Sequence, residues 1–389
     1  ADAVAAPVIA QRRREVDLLE HGVRLRPPAL GAPGTPVADA IYLLHNSLPH
    51  QSGGYATRTH GLLTNLNRGG HHVVGVTRPG FPAEYGVFSQ RTGIADHDIV
   101  DGVRYERLIG PVPRLPRTDL QGFVDDYADK LGPVLERHRP AVVHAASNWW
   151  NGHAAAAVGA AIDRPSVYEV RGLWEVTRAS RQPGWADSDV YALDSRYEAD
   201  AAAAATRVIA ITNGLADELV RRGVDRDKIT IVPNAVDVDR FTDVHRDAAL
   251  ATELGLDGAC VIGFAGTLTF YEGLDDLLLA VSEMRSITST PIAVLIVGDG
   301  PVRGELERLA AELGLSDVCR FVGRVPHAEV ERYLGLIDIT PFPRKPLPVC
   351  EMVSPLKPLE SMASGIPIVV SDVQALAEMV PSSDAGVVV

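Results

Sequence analysis

A chain of 389 residues is too long for one typical domain, and 46% hydrophobic against 22% charged residues describes a globular protein with an ample core. The formal net charge of -13 argues against a general nucleic-acid binder, and no apolar stretch approaches the length of a membrane span. Three scattered cysteines, Cys260, Cys319 and Cys350, lack metal-ligand spacing and read as small buried residues in a reducing compartment.

The N-terminus, ADAVAAPVIAQRRRE, lacks the ordered charge, apolar core and cleavage site of a signal peptide, so a cytoplasmic protein is expected. Residues 1 to about 25 read as a charged helix. Its RRR run is interleaved with acids and suits a solvated face, so peripheral membrane contact is not indicated. RPPALGAPGTP is a linker, and residues 1–37 form a short N-terminal helical extension. From Ala38, β-branched runs alternate with helical ones: AIYLLHN, the glycine turn SGGY, the helix ATRTHGLLTNLNRG, then HHVVGVTRP, PAVVHAAS, PSVYEVRG, a helix over 198–205, RVIAIT and KITIVPN. After VPNAVDVDRF the rhythm restarts with VIGFAGTL, IAVLIVGDG, CRFVGRV, IDITPFP and IPIVVSD. This βαβ pattern predicts an α/β protein with two Rossmann-like parallel-sheet domains, 38–235 and 236–389, facing a cleft. Ligands on such sheets bind at the carboxyl ends of the strands.

VGDGPVRG, residues 297–304, is nearly a dinucleotide-binding turn. A dinucleotide site wants an acid at the end of the following strand to hold a ribose, and CRFVGRV ends in Gly323 and Arg324. The loop also follows the second strand of its half, not the first. NAD binding is the weaker reading, and a tight strand-to-helix turn needing no ligand competes with it.

GFAGTLTFYEGLDDLLLAV, VLIVGDGPVRGELERLAAELGL, VCRFVGRVPHAEVERYLGLIDITPFP and SPLKPLESMASGIPIVVSD together resemble the family 4 glycosyltransferases of the GT-B fold. KITIVPNAVDVDRF is similar to that family's inter-domain segment, and LPHQSGGYATRTHGLLTNLNRGGHHVVGVT to its N-terminal glycine loop and first helix. The resemblance covers residues 40 to 389 in ordered blocks. It implies transfer of a sugar from a nucleotide-diphosphate sugar to a hydroxyl acceptor, with retention and without a metal or other cofactor. The resembled fold continues beyond SSDAGVVV through helices that cross back to the first domain, so the resemblance implies a C-terminal domain truncated at its end.

The diphosphate leaving group must be stabilised by a metal or by cations and backbone N–H groups. The family's usual Arg and Lys of the first C-domain loop fall at Thr267 and Glu272, so cations are expected from Arg344, Lys345 and Lys357, the last at the start of a helix. Of the family's paired glutamates, Glu360 matches the second, implied to hold the nucleotide ribose. The first falls at Met352, so Glu351 takes its role only with one inserted residue. Gly53 and Gly54 match the loop that lets the backbone approach donor phosphate and sugar. Further donor contacts are implied for Gly266, Thr267, Gly298, Arg324, Ser354 and Leu356. His144 matches the first position of a His-x-His motif whose second position is Ala146 here, and is implied as the catalytic histidine beside Lys357 and Glu351. Asn148, the pair Trp149–Trp150, Arg171 and Glu175 are candidates for acceptor binding; an intramolecular ion pair is the alternative for Arg171 and Glu175. A GT-B sugar-nucleotide epimerase and a degenerate scaffold subunit are the competing readings, the latter prompted by Thr267 and Glu272.

Overall fold

The structure is a computed structural model that describes residues 2–31, 34–84, 94–110, 116–241, 244–326, 329–380 and 385–389. It divides into two compact units, Ala1–Pro233 and Asn234–Val389. In unit 1 the order is α1 (Asp2–His21), β1 (Ala38–Leu44), α2 (Gly54–Arg68), β2 (Val73–Thr77), β3 (His97–Val100), β4 (Val103–Arg107), α3 (Leu120–His138), β5 (Pro140–Ala146), α4 (Trp149–Ala161), β6 (Ser166–Val170), α5 (Trp174–Ala179), α6 (Asp189–Ala204), β7 (Arg207–Ala210), α7 (Asn213–Arg221) and β8 (Ile229–Ile231).

The strands form one sheet ordered β3-β4-β2-β1-β5-β6-β7-β8. All neighbours are parallel except β3 and β4, an antiparallel edge hairpin. Ile41, Tyr42, Leu43 and Leu44 of β1 are buried in succession, as a strand covered on both faces requires. The edge hairpin is absent from the sequence-based reading. It turns at Asp101–Gly102, both at positive φ, the backbone an Asp-Gly hairpin turn needs. Helix α6 starts at Asp189, well before the predicted 198, because the Ser188 side chain accepts the Tyr191 N–H and caps it there. Helix α1 lies on α6: the Val23 N–H donates to Asp200 at 2.7 Å, and Arg196 reaches the Leu19 carbonyl.

Unit 2 runs α8 (Ala248–Glu253), β9 (Cys260–Ala265), α9 (Leu274–Ile287), β10 (Ile292–Val297), α10 (Arg303–Glu312), β11 (Cys319–Gly323), α11 (Val330–Leu334), β12 (Thr340–Phe342), α12 (Pro348–Met352), α13 (Lys357–Ala363), β13 (Ile368–Val370), α14 (Gln374–Ala377) and β14 (Gly386–Val388). Two parallel ribbons, β11-β10-β9 and β12-β13-β14, are stitched by a bridge between Ile262 and Ile339. The Gly263 N–H donates to the Ile339 carbonyl there. Val261, Ala293, Leu295 and Val297 fill the core beneath Leu334 and Leu336. No helix among the described residues is long and apolar enough to cross a membrane.

Candidate functional site

In unit 2 the loops after β9 and β10 pack backbone against backbone. The Gly266 N–H donates to Val297 O (2.8 Å), the Leu268 N–H to Asp299 O (3.0 Å) and the Gly298 N–H to Gly323 O (2.8 Å). Gly298 has φ +136°, and a Cβ there would strike the Gly266 carbonyl. The glycines of VGDG are therefore demanded by loop-on-loop contact within the unit, independently of any ligand. Gly266 is constrained in its turn: a Cβ on it would collide with the side chain of Lys357, which lies across it.

Lys357 opens α13 and reaches Glu272, in the turn ahead of α9. The Glu272 carboxylate, only 3% exposed, accepts Lys357 Nζ at 2.8 Å and the Arg344 guanidinium in a fork of 3.0 and 3.2 Å. Burial alone would raise the Glu272 pKa, but Lys357 and Arg344 more than offset it and pull the carboxyl down to about 2. Burial opposes the charge on Arg344, and Glu272 overrides it and raises its pKa. The Lys357 ammonium also sits 4.5 Å from the centre of the Phe264 ring and keeps 20% of its side chain exposed.

This arrangement corrects two expectations. Arg344, expected on the diphosphate, is buried and forked onto Glu272, with its remaining nitrogen donating to the Val353 carbonyl at 3.0 Å. Lys345 turns away to Asp275 and Asp276 at 2.9 and 3.1 Å. Of the expected cations, Lys357 is the one that lies across the Gly266 turn, held by Glu272 and still partly open.

Thr267 and Arg324 are exposed. Ser354 is buried, and its carbonyl and hydroxyl both accept from Asn234 Nδ2 at 2.7 and 3.1 Å. Leu356 immediately precedes α13, and Glu360 lies in that helix's first turn. The Glu360 carboxylate is half-buried and accepts no hydrogen bond from the described residues; burial raises its pKa, with Arg240 and Lys357 opposing. Glu351 points elsewhere: its Oε2 accepts the Gln374 N–H at 2.7 Å and caps α14, a local role that takes it from the expected sugar contact. A cavity of about 250 Å³ in this unit is lined by Leu274, Asp275, Glu305, Leu306 and, of the expected cations, Lys345.

In unit 1, Gly53 and Gly54 start α2 in the open, with no side-chain cap. Register pairs Tyr42 with His144 and Ala146 with Glu169, which puts Tyr42, His144 and Glu169 on one face of the sheet. The Tyr42 and His144 rings stack at 3.9 Å. Glu169 is the hub: Tyr42 donates to it, Arg58 Nε donates at 2.9 Å and Arg171 Nη2 at 3.0 Å. His144 Nε2 lies 3.5 Å from Glu169 without a hydrogen bond. Burial, then Arg171 and Arg58, push the His144 pKa down to about 3, so the imidazole is neutral. Glu169, Tyr42 and Arg58 escaped the sequence reading. The signal available was a lone acid inside the buried run SVYEV.

Arg171 and Glu175, expected on the acceptor, are both internal. Arg171 also donates to Thr59 Oγ1 (2.6 Å) and the Tyr55 carbonyl (3.0 Å), while Glu175 receives Arg222 at 2.6 Å. They do not pair with each other; two separate buried ion pairs hold them, because burying either charge alone would be costly. Asn148 is different. It is 1% exposed, stands ahead of α4 without capping it, and neither atom of its amide has a hydrogen-bond partner. Trp149 stacks on Tyr197 inside the core, whereas Trp150 meets His45 and Trp174 at 5.7 and 5.4 Å. Among the described residues no group of three or more His, Cys, Asp or Glu could hold a metal ion.

Residues 53–235 match the glycosyl transferase 4-like domain, and residues 248–389 match the glycosyl transferases group 1 domain. The chain is 29% identical over 293 residues to a D-inositol 3-phosphate glycosyltransferase of Streptomyces avermitilis, a match covering 72% of this chain and 61% of that enzyme. A Rhodococcus opacus enzyme of the same name is 28% identical over 377 residues, covering 89% of this chain and 80% of that one. The 2-deoxystreptamine glucosyltransferase of Streptomyces kanamyceticus is 32% identical over 155 residues, 39% of this chain and 38% of that one. Among solved structures, the sucrose-phosphate synthase from Thermosynechococcus elongatus superposes with a TM-score of 0.67 at 20% identity, covering 90% of this chain and 86% of that one. Anabaena HepE in complex with UDP and glucose gives 0.63 at 16% identity, covering 90% and 84%.

Proposed function

Since the chain belongs to the family 4-like glycosyltransferases and has their GT-B fold, we propose that it moves a sugar from a nucleoside-diphosphate donor to a hydroxyl acceptor. The supporting observation is local to unit 2: Lys357 lies across Gly266, and Glu360 stands one turn further along α13 with its carboxylate free of hydrogen bonds among the described residues. A cation suits the diphosphate, and a carboxylate accepts two ribose hydroxyls. As the glycosidic bond breaks, charge grows on the departing phosphate; Lys357, held in place by Glu272, stabilises it without reorganisation. The acid at 272 is thereby the anchor of the phosphate cation, which favours the enzyme reading over a scaffold.

His144 takes a binding role in this scheme. A conjugate acid near 3 makes a feeble base at neutral pH, so the neutral ring serves as a hydrogen-bonding group. Transfer proceeds with retention and without a metal, and three free cysteines suit a reducing, cytoplasmic setting. Calorimetry with UDP-, GDP-, ADP- and dTDP-glucose, followed by product analysis with a hydroxyl acceptor, tests the proposal. One donor should bind, with acceptor-dependent turnover that survives a chelator. Epimerised donor, or equal turnover without acceptor, overturns it.

A further inference from the structure

The carboxyl ends of β1, β5 and β6 in unit 1 carry a polar and aromatic cluster beside the Glu169 network. His45 and Asn46 follow β1, Asn148 and Trp150 follow β5, and Trp174 follows β6. His45, Trp150 and Trp174 form a triangle, with ring centroids 5.7, 5.4 and 5.0 Å apart. Trp174 keeps 36% of its surface exposed, and its Nε1–H donates to Tyr55 Oη at 3.3 Å. Beside these rings, Asn46 Oδ1, both amide atoms of Asn148 and Trp150 Nε1 are buried without a hydrogen-bond partner. Such atoms are costly to bury, and native chains hold few of them. Acceptors, donors and an aromatic wall at adjacent strand ends are what a ring with hydroxyls at its rim and C–H groups on its face requires.

Charge narrows the ligand. Arg78 forks onto Glu84 and donates to His45 Nδ1 at 3.0 Å. Arg58 and Arg171 hold Glu169, Arg107 holds Asp98 and Arg222 holds Glu175. Burial, assisted by Arg78, brings the His45 pKa down to about 3, so its ring is uncharged. Each of these guanidiniums is turned onto an internal carboxylate, Arg58 and Arg171 sharing Glu169, and none keeps more than 13% of its side chain exposed, so a phosphate or carboxylate placed here would meet no open guanidinium among them.

We propose that this cluster, centred on Asn148, Trp150 and Trp174, is the acceptor subsite and takes a neutral polyhydroxylated ring, a sugar or cyclitol unit without phosphate. The inference rests on the glycosyltransferase reading and specifies its acceptor class. Asn148 supplies a donor and an acceptor to neighbouring hydroxyls, and the Trp174 and Trp150 rings cover the apolar face.

Calorimetry and tryptophan quenching on the full chain, with methyl α-D-glucoside, methyl α-D-mannoside and cellobiose against glucose 6-phosphate and mannose 6-phosphate, provide the test. At least one neutral probe should bind saturably and at least tenfold more tightly than its phosphorylated counterpart. Trp174→Ala and Asn148→Ala should each weaken that binding about tenfold, as one lost hydrogen bond or ring contact does. Asn148→Ala also separates function from structure: removing a buried, unpartnered amide should leave Tm unchanged or raise it. Tighter binding of the phosphorylated sugars, or a fall in Tm with sugar affinity intact, overturns the proposal. Nucleotide-sugar binding is measured on the same sample. Donor binding without any neutral-sugar binding defeats the acceptor assignment alone, whereas loss of both defeats it together with the glycosyltransferase reading.

Discussion

Glu272 holds Lys357 at 2.8 Å where it lies across Gly266, so an acid at a position where the resembled family carries a base ends up supporting a base from the start of α13. Lys357→Met should lower nucleoside-diphosphate affinity by one to two powers of ten, the loss of a charge-assisted bond of about 1.5–3 kcal/mol. Binding of the free nucleoside should stay unchanged. Calorimetry with both ligands checks it, and equal losses for the two would point to a collapsed loop rather than a lost phosphate contact.

Restoring the family's cation at 272 should harm this protein. Glu272→Lys would leave Arg344 and Lys357 unpaired beside a third positive charge, at a cost of about 3–5 kcal/mol for breaking a buried pair. A marked fall in Tm is expected; an unchanged Tm would mean that the cluster contributes nothing to the fold.

The same carboxylate sets an acid limit. Its folded pKa, about 2, lies below the ordinary 4.5, so its stabilisation is complete above pH 4.5 and is lost as pH falls toward 2. Denaturation midpoints measured across that window should fall in the wild type, and Glu272→Gln should lose less over the same range.

Glu198 works in the other direction. It is buried on α6, receives the Tyr168 hydroxyl at 2.5 Å and has its pKa raised to about 8, by burial first and Glu175 next. The protonated form is favoured in the fold, so its contribution is complete below pH 4.5 and declines as pH rises through 8. Glu198→Gln should flatten that decline and raise Tm at pH 8. A variant that melts lower than wild type at pH 8 would refute the assignment.

Glu360→Ala should weaken nucleotide binding about tenfold or more while the fold persists, through loss of a ribose acceptor of about 1.5–3 kcal/mol. Because burial already disfavours its charge, Tm should hold or rise. Unchanged nucleotide affinity would remove Glu360 from the donor site.

What the sequence disclosed followed periodicity and glycine placement. Runs such as IAVLIV and AIYLLHN announce buried parallel strands because both of their faces are apolar. The edge hairpin stayed hidden because His97–Val100 and Val103–Arg107 are short and carry Arg104, Glu106 and Arg107, although Asp101–Gly102 is a turn signal. Polar density misled at RGLWEV, where Arg171 and Glu175 suggested recognition. Their carboxylate and guanidinium partners, Glu169 and Arg222, decide the matter, and the Arg222 partner lies 47 residues away. The cations on Glu272 are 72 and 85 residues distant, a proximity that only the folded chain creates.

The mutual contact of the Gly266 and Gly298 turns bears on any attempt to re-engineer this protein. Each loop is the mould of the other, and Lys357 is seated on one of them. A transplant of GTLTFYEG alone from a relative would bring in a surface shaped for a different neighbour, so the smallest exchangeable part comprises both turns together with the SPLKPLE segment. Swaps that respect that three-piece boundary should retain solubility, and swaps that cut through it should yield misfolded chains before any change of donor preference can be seen.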